Sequence, residues 1–389
     1  MKRKDTFPQA QIYTKDYIKK RINWLEKKYK ISLRHISKFS LNISNLKKNI
    51  ENLIGCVQIP IGVAGPLKIN GEYTKGEFYI PMATTEKSLV SNYQIGMKLL
   101  SLSGGVKTLV LKNEIHISPL FVINGIERMK KFIKWIKNNF EDIKNAAEKT
   151  TSHGELVSII PKITGEGVIL IFRYFTKDAM GANMINIATE EACKFIKTKT
   201  FVKKFYLRSN FSSDKKVSSY NFIEGYGKEV FAEAIITNKI LRLLNINIDV
   251  DEINRYYNST LLISSYSCMI GINAHVANLI AAIFTACGQD IAHVINSSIG
   301  IATSKILDGD TLYLTLYLPN LLVGTVGGGT SLETQRECLE LLGCYGKDGS
   351  MKFSEIICAS ALAGELGIVT SLLTGVFTKH FRKLREVKK

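Results

Sequence analysis

The chain has 389 residues, enough for two or three structural units, and its apolar share of 46% is ordinary for a globular protein. Lysine and arginine number 52 against 34 acids, a formal net charge of +18 that favours anionic partners. The basic runs (19–30, 130–139, 380–389) are scattered over amphipathic segments, so no nucleic-acid partner is expected; the seven cysteines show no CxxC pair and no metal-ligand spacing, so no metal is expected either.

Residues 1–50 alternate charge with Ile, Leu and Trp at helical spacing, as in DYIKKRINWLEKKY (16–29), and read as an N-terminal helical cap. The first thirty residues are charged throughout, and no signal peptide is expected. From Glu51 the texture changes to ENLIGCVQIPIGVAGPLKINGEY, whose glycines and prolines mark tight turns. KGEFYIPMATTE (75–86) reads as a strand running into Glu86, followed by a helix that the Gly104–Gly105 pair ends. Residues 118–214 behave as an inserted module: a helix over 127–149, strands at LVSIIPKIT and GVILIFRYF, a second helix over 180–197, and a strand at KKFYLRS. That alternation predicts a small α+β sandwich. From about residue 217 the chain reads as long apolar helices with glycine-rich joints, including NAHVANLIAAIFTACGQD (273–290) and ICASALAGELGIVTSLLTGVF (357–377). These apolar stretches carry His275 and Glu365 and many small or polar residues, and no membrane span is expected.

Four titratable residues sit inside short strings: Glu86 in PMATTE, Lys215 in SDKK, Asp290 in ACGQD and His380 near the C-terminus. Two carboxyl groups, an ammonium and an imidazole can together stabilise an oxyanion and donate protons during reduction of a carbonyl. Glu86 stands at a strand-to-helix junction, where burial would raise its pKa enough for proton donation. Asp290 closes a long hydrophobic run on the same helix as NAHVAN, where an unpaired carboxylate is costly, so it needs a partner. DAMGANM (178–184) places small residues and a glycine at the entry to a helix, a geometry that suits an anion, although no GxGxxG fingerprint occurs. The glycines of GTVGGGT (324–330) belong where a backbone passes very close to something. Plainer readings stand beside each of these: an N-terminal charge complement for Glu86, a solvated turn for SDKK, and a satisfied core histidine for His275.

With their order and spacing, the strings from about Glu51 to His380 resemble 3-hydroxy-3-methylglutaryl-CoA reductase of the class I type, in its soluble archaeal form. The resemblance implies an α+β fold with three parts. These are a helical cap (1–50), a large mixed substrate domain (51–117 and 217–389) and an inserted ferredoxin-like dinucleotide-binding domain (118–216). It implies a cytoplasmic homodimer or homotetramer, without the membrane anchor of eukaryotic members, whose sites form at subunit interfaces. The reaction implied is reduction of 3-hydroxy-3-methylglutaryl-CoA to mevalonate by two NADPH, with release of CoA. Lys215 would hold the oxyanion, Asp290 would sit between Lys215 and Glu86, His380 would protonate the CoA thiolate, and Glu86 would supply a proton during aldehyde reduction. Asp178, Met180, Gly181, Asn183, Met184 and Arg385 would bind the cofactor; Asp214, Lys216 and Asn278 would contact substrate.

The sequence departs from that pattern at several places. Lys87 replaces a glycine, Ile95 an arginine, Ala182 a methionine, and LLISSYSCMIG (261–271) a stretch rich in glycine and alanine. Ile117, in His116-Ile117-Ser118-Pro119, takes the place of an arginine that grips the substrate carboxylate, while Arg208 replaces a small serine upstream of SDKK. The expectation is that the guanidinium has moved and that Arg208 binds the substrate instead, beside the plainer reading that Arg208 points to solvent. A diverged relative acting on another acyl-CoA, or without turnover, and a basic nucleic-acid-binding protein are the alternatives.

Overall fold

The structure, a computed structural model, describes residues 6–151 and 154–376; His380 and Arg385 lie outside the described residues. Near the N-terminus, Thr14 caps the helix Lys15–Tyr29 by accepting from the Tyr17 N–H. Its Ile18 and Ile22 join Leu46 and Leu53 in a small apolar cluster. Arg21 is fully buried, and its guanidinium collects the carbonyls of Pro8, Ala10, Ile12 and Leu53. One cation thus ties the N-terminal arm to the start of the next segment.

Ten strands follow among the described residues: β1 (Ile61–Gly71), β2 (Lys75–Ala83), β3 (Val106–Ile117), β4 (Leu120–Val122), β5 (Glu155–Thr164), β6 (Gly167–Phe175), β7 (Phe205–Tyr206), β8 (Gly227–Thr237), β9 (Ile301–Asp308) and β10 (Thr311–Leu321). Their continuous order is β7-β4-β6-β3-β8-β10-β9, with β1 beside β3, β2 beside β1, and β5 at the far edge of β6. Among the described strands β1 and β3 are the pair that runs parallel. The fold is α+β, as expected.

Strand β3 is the spine. Its residues 107–114 pair with β8, and Ile115–Ile117 pair with Tyr174–Phe172 of β6. One strand therefore carries the chain from the large core into the small one. Beyond it, β4, β5, β6 and β7 with helices Ile126–Asn138, Phe140–Glu148 and Ala182–Lys199 form a β-α-β-β-α-β unit of sheet order β7-β4-β6-β5, the ferredoxin-like arrangement. The single helix expected over 127–149 is two helices. They break at Asn139, whose φ of −119° is not helical.

The large core forms around the helix Ser350–Leu373. It is long and apolar enough to cross a membrane by length and composition alone, yet nearly its whole surface is covered by protein. The helix Leu89–Leu102 crosses it closely: a β-carbon on Gly96 would lie 1.7 Å from the Ala363 carbonyl oxygen, so only glycine fits there. The sequence reading contained no strands after residue 217, whereas β8, β9 and β10 form the centre and one edge of the sheet. Their signals were present. Strand β8 alternates buried and half-exposed residues, and Asp308-Gly309-Asp310 supplies the hairpin turn between β9 and β10.

Candidate active site

A cavity of about 720 Å³ opens between the start of the helix Ala182–Lys199, the SDKK turn, the GQD turn and the glycine-rich loop after β10. Met180, Gly181, Asn183, Met184, Arg208, Asp214, Lys215 and Asp290, all singled out from the sequence, line it. Segments more than 100 residues apart in the chain therefore meet at one place.

Lys215 and Asp290 form the central pair, Nζ to Oδ2 at 2.7 Å. Burial opposes ionisation of Asp290. The hydrogen bond from Lys215, the Ala292 N–H, the Lys215 charge and, least, the nearby His293 ring outweigh it, holding the carboxyl below the ordinary range. Both side chains keep a third or more of their surface (45% and 34%), so as a stability element the pair contributes about 0–1 kcal/mol. Its significance is positional: it holds an ammonium at the cavity wall. The helix expected to run through 273–290 covers only Val276–Ala286, ending where Cys287 and Gly288 turn the chain. Asp290 instead caps the next short turn, Ile291–His293, by accepting from the Ala292 N–H.

Two close backbone approaches build the cavity floor. Gly288 has φ +67°, and a β-carbon there would sit 2.4 Å from the Gly329 carbonyl oxygen; one on Gly329 would meet the Gly288 oxygen at 2.6 Å. Glycine is obligatory on both sides of this crossing. Gln289 locks it, accepting from the Gly324 N–H at 2.9 Å and donating to the Gly324 carbonyl at 3.0 Å. Sequence reasoning passed over Gln289, although it immediately precedes Asp290 in the string that was noticed.

The helix Ala182–Lys199 starts at Gly181, and its first-turn N–H groups have no intrahelical acceptor. With the helix dipole and the open backbone at Gly327 and Gly328, this end of the cavity suits a phosphate-bearing ligand. Arg208 stands beside it, paired with Asp214 and donating to Asn186 Oδ1 at 3.1 Å. Asp178 does not line the cavity. Its two oxygens accept from the N–H groups of Asp348 and Ser350 at 2.9 and 3.1 Å, which anchors DAMGANM to the start of the long core helix. Lys216 also stays off the cavity wall and donates to the Ser212 carbonyl.

Glu86 occupies the turn between β2 and the helix Leu89–Leu102, and it is exposed. Asn278 Nδ2 reaches its carboxylate at 3.2 Å. Among the described residues no hydrogen bond or ion pair joins Glu86 to Lys215 or Asp290. Below Asn278, the buried Glu365 carboxylate accepts the Ala274 and His275 N–H groups at 2.6 and 2.9 Å, seating the start of the helix Val276–Ala286. The His275 ring is half-buried, with Nε2 2.8 Å from the Gly364 carbonyl.

The departures fall in different places. Ile117 is 1% exposed and belongs to the core of the small unit, paired across the sheet with Phe172. Neighbouring His116 packs edge-on to Tyr220 and Tyr226, and burial, with the Arg173 charge, lowers its pKa to about 4. Ile95 packs against the large core, and Lys87 is exposed.

The profile of the hydroxymethylglutaryl-coenzyme A reductase family matches residues 17–385, and the chain belongs to that family of oxidoreductases. It is 44% identical over 373 residues to 3-hydroxy-3-methylglutaryl-coenzyme A reductase of Methanocaldococcus jannaschii, covering 94% of this chain and 91% of the relative. It is 41% identical to the enzyme of that name from Pyrococcus abyssi (93% and 90% covered) and 36% identical to reductase 2 of Dictyostelium discoideum (86% and 65%). In fold it is similar to the class II 3-hydroxy-3-methylglutaryl-CoA reductase of Streptococcus pneumoniae, solved bound to NADPH, with a TM-score of 0.68 at 18% identity over 91% of this chain and 97% of that one.

Proposed function

We propose that this chain reduces 3-hydroxy-3-methylglutaryl-CoA to mevalonate, with release of CoA, using NADPH. The observation that carries the reading is the Lys215–Asp290 pair on the wall of the same cavity that the helix start at 181–184 opens into. The class I assignment rests on the order and spacing of the strings PMATTE, SDKK and GQD.

NADPH, when bound, supplies the hydrides, two per turnover. Residues Met180, Gly181, Asn183 and Met184 would hold it at the helix start, with Arg385 as a further phosphate contact and Asp178 fixing the segment from behind. Lys215 faces the thioester carbonyl and stabilises the oxyanion as it develops, which a preorganised charge does without reorganisation. Collapse of the hemithioacetal expels CoA as the thiolate, and His380 returns its proton. Glu86 gives a proton to the aldehyde oxygen in the second reduction, yielding the primary alcohol. Asp214 and Arg208 would contact the acyl-CoA from the cavity wall and Asn278 beside Glu86, while Lys216, on the Ser212 carbonyl, braces the turn behind them. Glu86 and Asn278 lie off the cavity wall of a single chain, which supports a homodimer or homotetramer whose sites are completed across an interface. A cytoplasmic protein fits the seven unpaired cysteines.

The test is oxidation of NADPH by the purified protein with 3-hydroxy-3-methylglutaryl-CoA, beside acetoacetyl-CoA, the free acid and NADH. Turnover confined to the first thioester and NADPH establishes the reading. Turnover only with another acyl-CoA would mark a diverged relative.

A further inference from the structure

A layer of buried polar side chains stands directly behind the Lys215–Asp290 pair. Lys215 has φ +57°, in the left-handed region that a residue with a β-carbon adopts only when its surroundings hold it there. The holder is Asn296. Its Nδ2 donates to the Lys216 carbonyl at 2.9 Å and leans on the Ser213 carbonyl at 3.4 Å, so one fully buried amide grips the turn on both sides of the lysine. Three residues earlier comes His293, 1% exposed, with Nε2 3.9 Å from Asp290 Oδ2. Among the described residues no well-formed hydrogen bond reaches either ring nitrogen or Asn296 Oδ1, although the ring and the Asn296 side chain stand close enough to interact. Buried polar atoms are nearly always paired, and such a cluster beside a reactive pair asks for a reason.

We propose that Asn296 and His293 are positioning residues for the reduction: Asn296 fixes the turn that presents Lys215, and His293 orients from behind the Asp290 carboxylate that pairs with it. The inference rests on the reading of Lys215 as the cation that stabilises the oxyanion. Burial, with the Lys215 charge, keeps the His293 pKa below its ordinary value, against the opposing pull of Asp290, Asn296 and Asp214. Asp290, Lys215 and Asp214 are the charged groups that act on the ring. A neutral ring offers an N–H toward Oδ2 and places no second cation beside Lys215. As pH falls the ring takes a proton and competes with Lys215 for the same carboxylate, so turnover acquires an acid limb.

The experiment measures kcat, both KM values, NADPH affinity and melting temperature for Asn296→Leu, Asn296→Ala and His293→Gln. The leucine fills the volume of the amide, which guards against simple collapse. Both Asn296 variants are expected to lose roughly 30-fold or more in kcat, with KM values within about threefold, since misplacing a reactive group by an ångström has effects of that size. In a Lys215→Ala background the Asn296 change should add nothing, because residues acting through one group are not additive. If Lys215→Ala is inactive while Asn296→Leu turns over normally, the present inference falls alone. If Lys215→Ala retains full turnover, the reading of Lys215 falls. His293→Gln keeps an N–H donor and cannot titrate. It should stay within about threefold of wild type near neutrality and lose the acid limb of kcat. An acid limb unchanged in that variant overturns the role of His293, and this arm remains decisive even where the Asn296 variants do not fold.

Discussion

The two halves of the proposed site are built differently. On one side Lys215 meets Asp290 at 2.7 Å, at a cavity wall whose turns are locked by Gln289 and gripped by Asn296. On the other, Glu86 is exposed in a turn and has one side-chain partner, the Asn278 amide. The first half has its charge placed by Asp290 and its turns held by Gln289 and Asn296 within the described residues. The second has its scaffold, since Glu365 seats the helix that bears Asn278, but not its surroundings. A cation that must meet a developing oxyanion works best preorganised. A proton donor needs burial to tune it, and the described residues leave Glu86 exposed.

The sharpest way to break this comparison is to remove the preorganised charge. Lys215→Ala should lower kcat roughly 100- to 1,000-fold, about 3–4 kcal/mol of transition-state stabilisation, with NADPH affinity nearly unchanged. Single-turnover rates and nucleotide fluorescence measure the two quantities separately. A variant that kept more than about a tenth of wild-type kcat would move the oxyanion contact elsewhere.

Glu365 tests the other half. Burial raises its pKa to about 7 from 4.5, although the N–H groups of His275 and Ala274 pull the other way. The folded chain thus binds this proton more tightly than the unfolded chain. The associated stability is full below pH 4.5 and is lost as pH rises through 7, a change of about 3 kcal/mol. In Glu365→Gln the group cannot ionise, so the fall in melting temperature across that window should flatten. The amide also leaves one of the two backbone N–H groups without its acceptor, costing about 1–3 kcal/mol. A slope as steep in the variant as in wild type would assign the titration to another group.

The sequence made the candidate strings legible because each is local: PMATTE, SDKK and GQD hold their residues within a few positions of one another. It also showed the small unit, whose periodicities change cleanly from helix to strand. What it hid is relational. Asn296 acts on a carbonyl 80 residues away, and Gln289 on a backbone 35 residues away, with nothing in either neighbourhood to mark them. Strands β8 to β10 were lost for a different reason: an apolar background drew the reading toward helices, and the Asp-Gly-Asp turn was not weighed. The helix through 273–290 was read too long because apolar spacing continues past Ala286, where only the left-handed Gly288 ends it.

The smallest expected effect concerns the guanidinium that the sequence suggested had moved. Ile117 turns out to be a core residue, so returning an arginine to that position would bury an unpaired charge and damage the fold rather than restore binding. Arg208 does reach the cavity, but it arrives already engaged with Asp214 and Asn186. Its removal therefore acts twice: it takes away a planar donor and frees the Asp214 carboxylate to face an anionic ligand. Arg208→Ser should raise KM for 3-hydroxy-3-methylglutaryl-CoA about tenfold, within the range of one charge-assisted hydrogen bond, while kcat changes little. Arg208→Ser with Asp214→Asn should recover the part due to repulsion, and Arg208→Lys, which keeps the charge without the fork, should fall between. If all three leave KM untouched, Arg208 serves only to hold the SDKK turn, and the substrate carboxylate is met by another group.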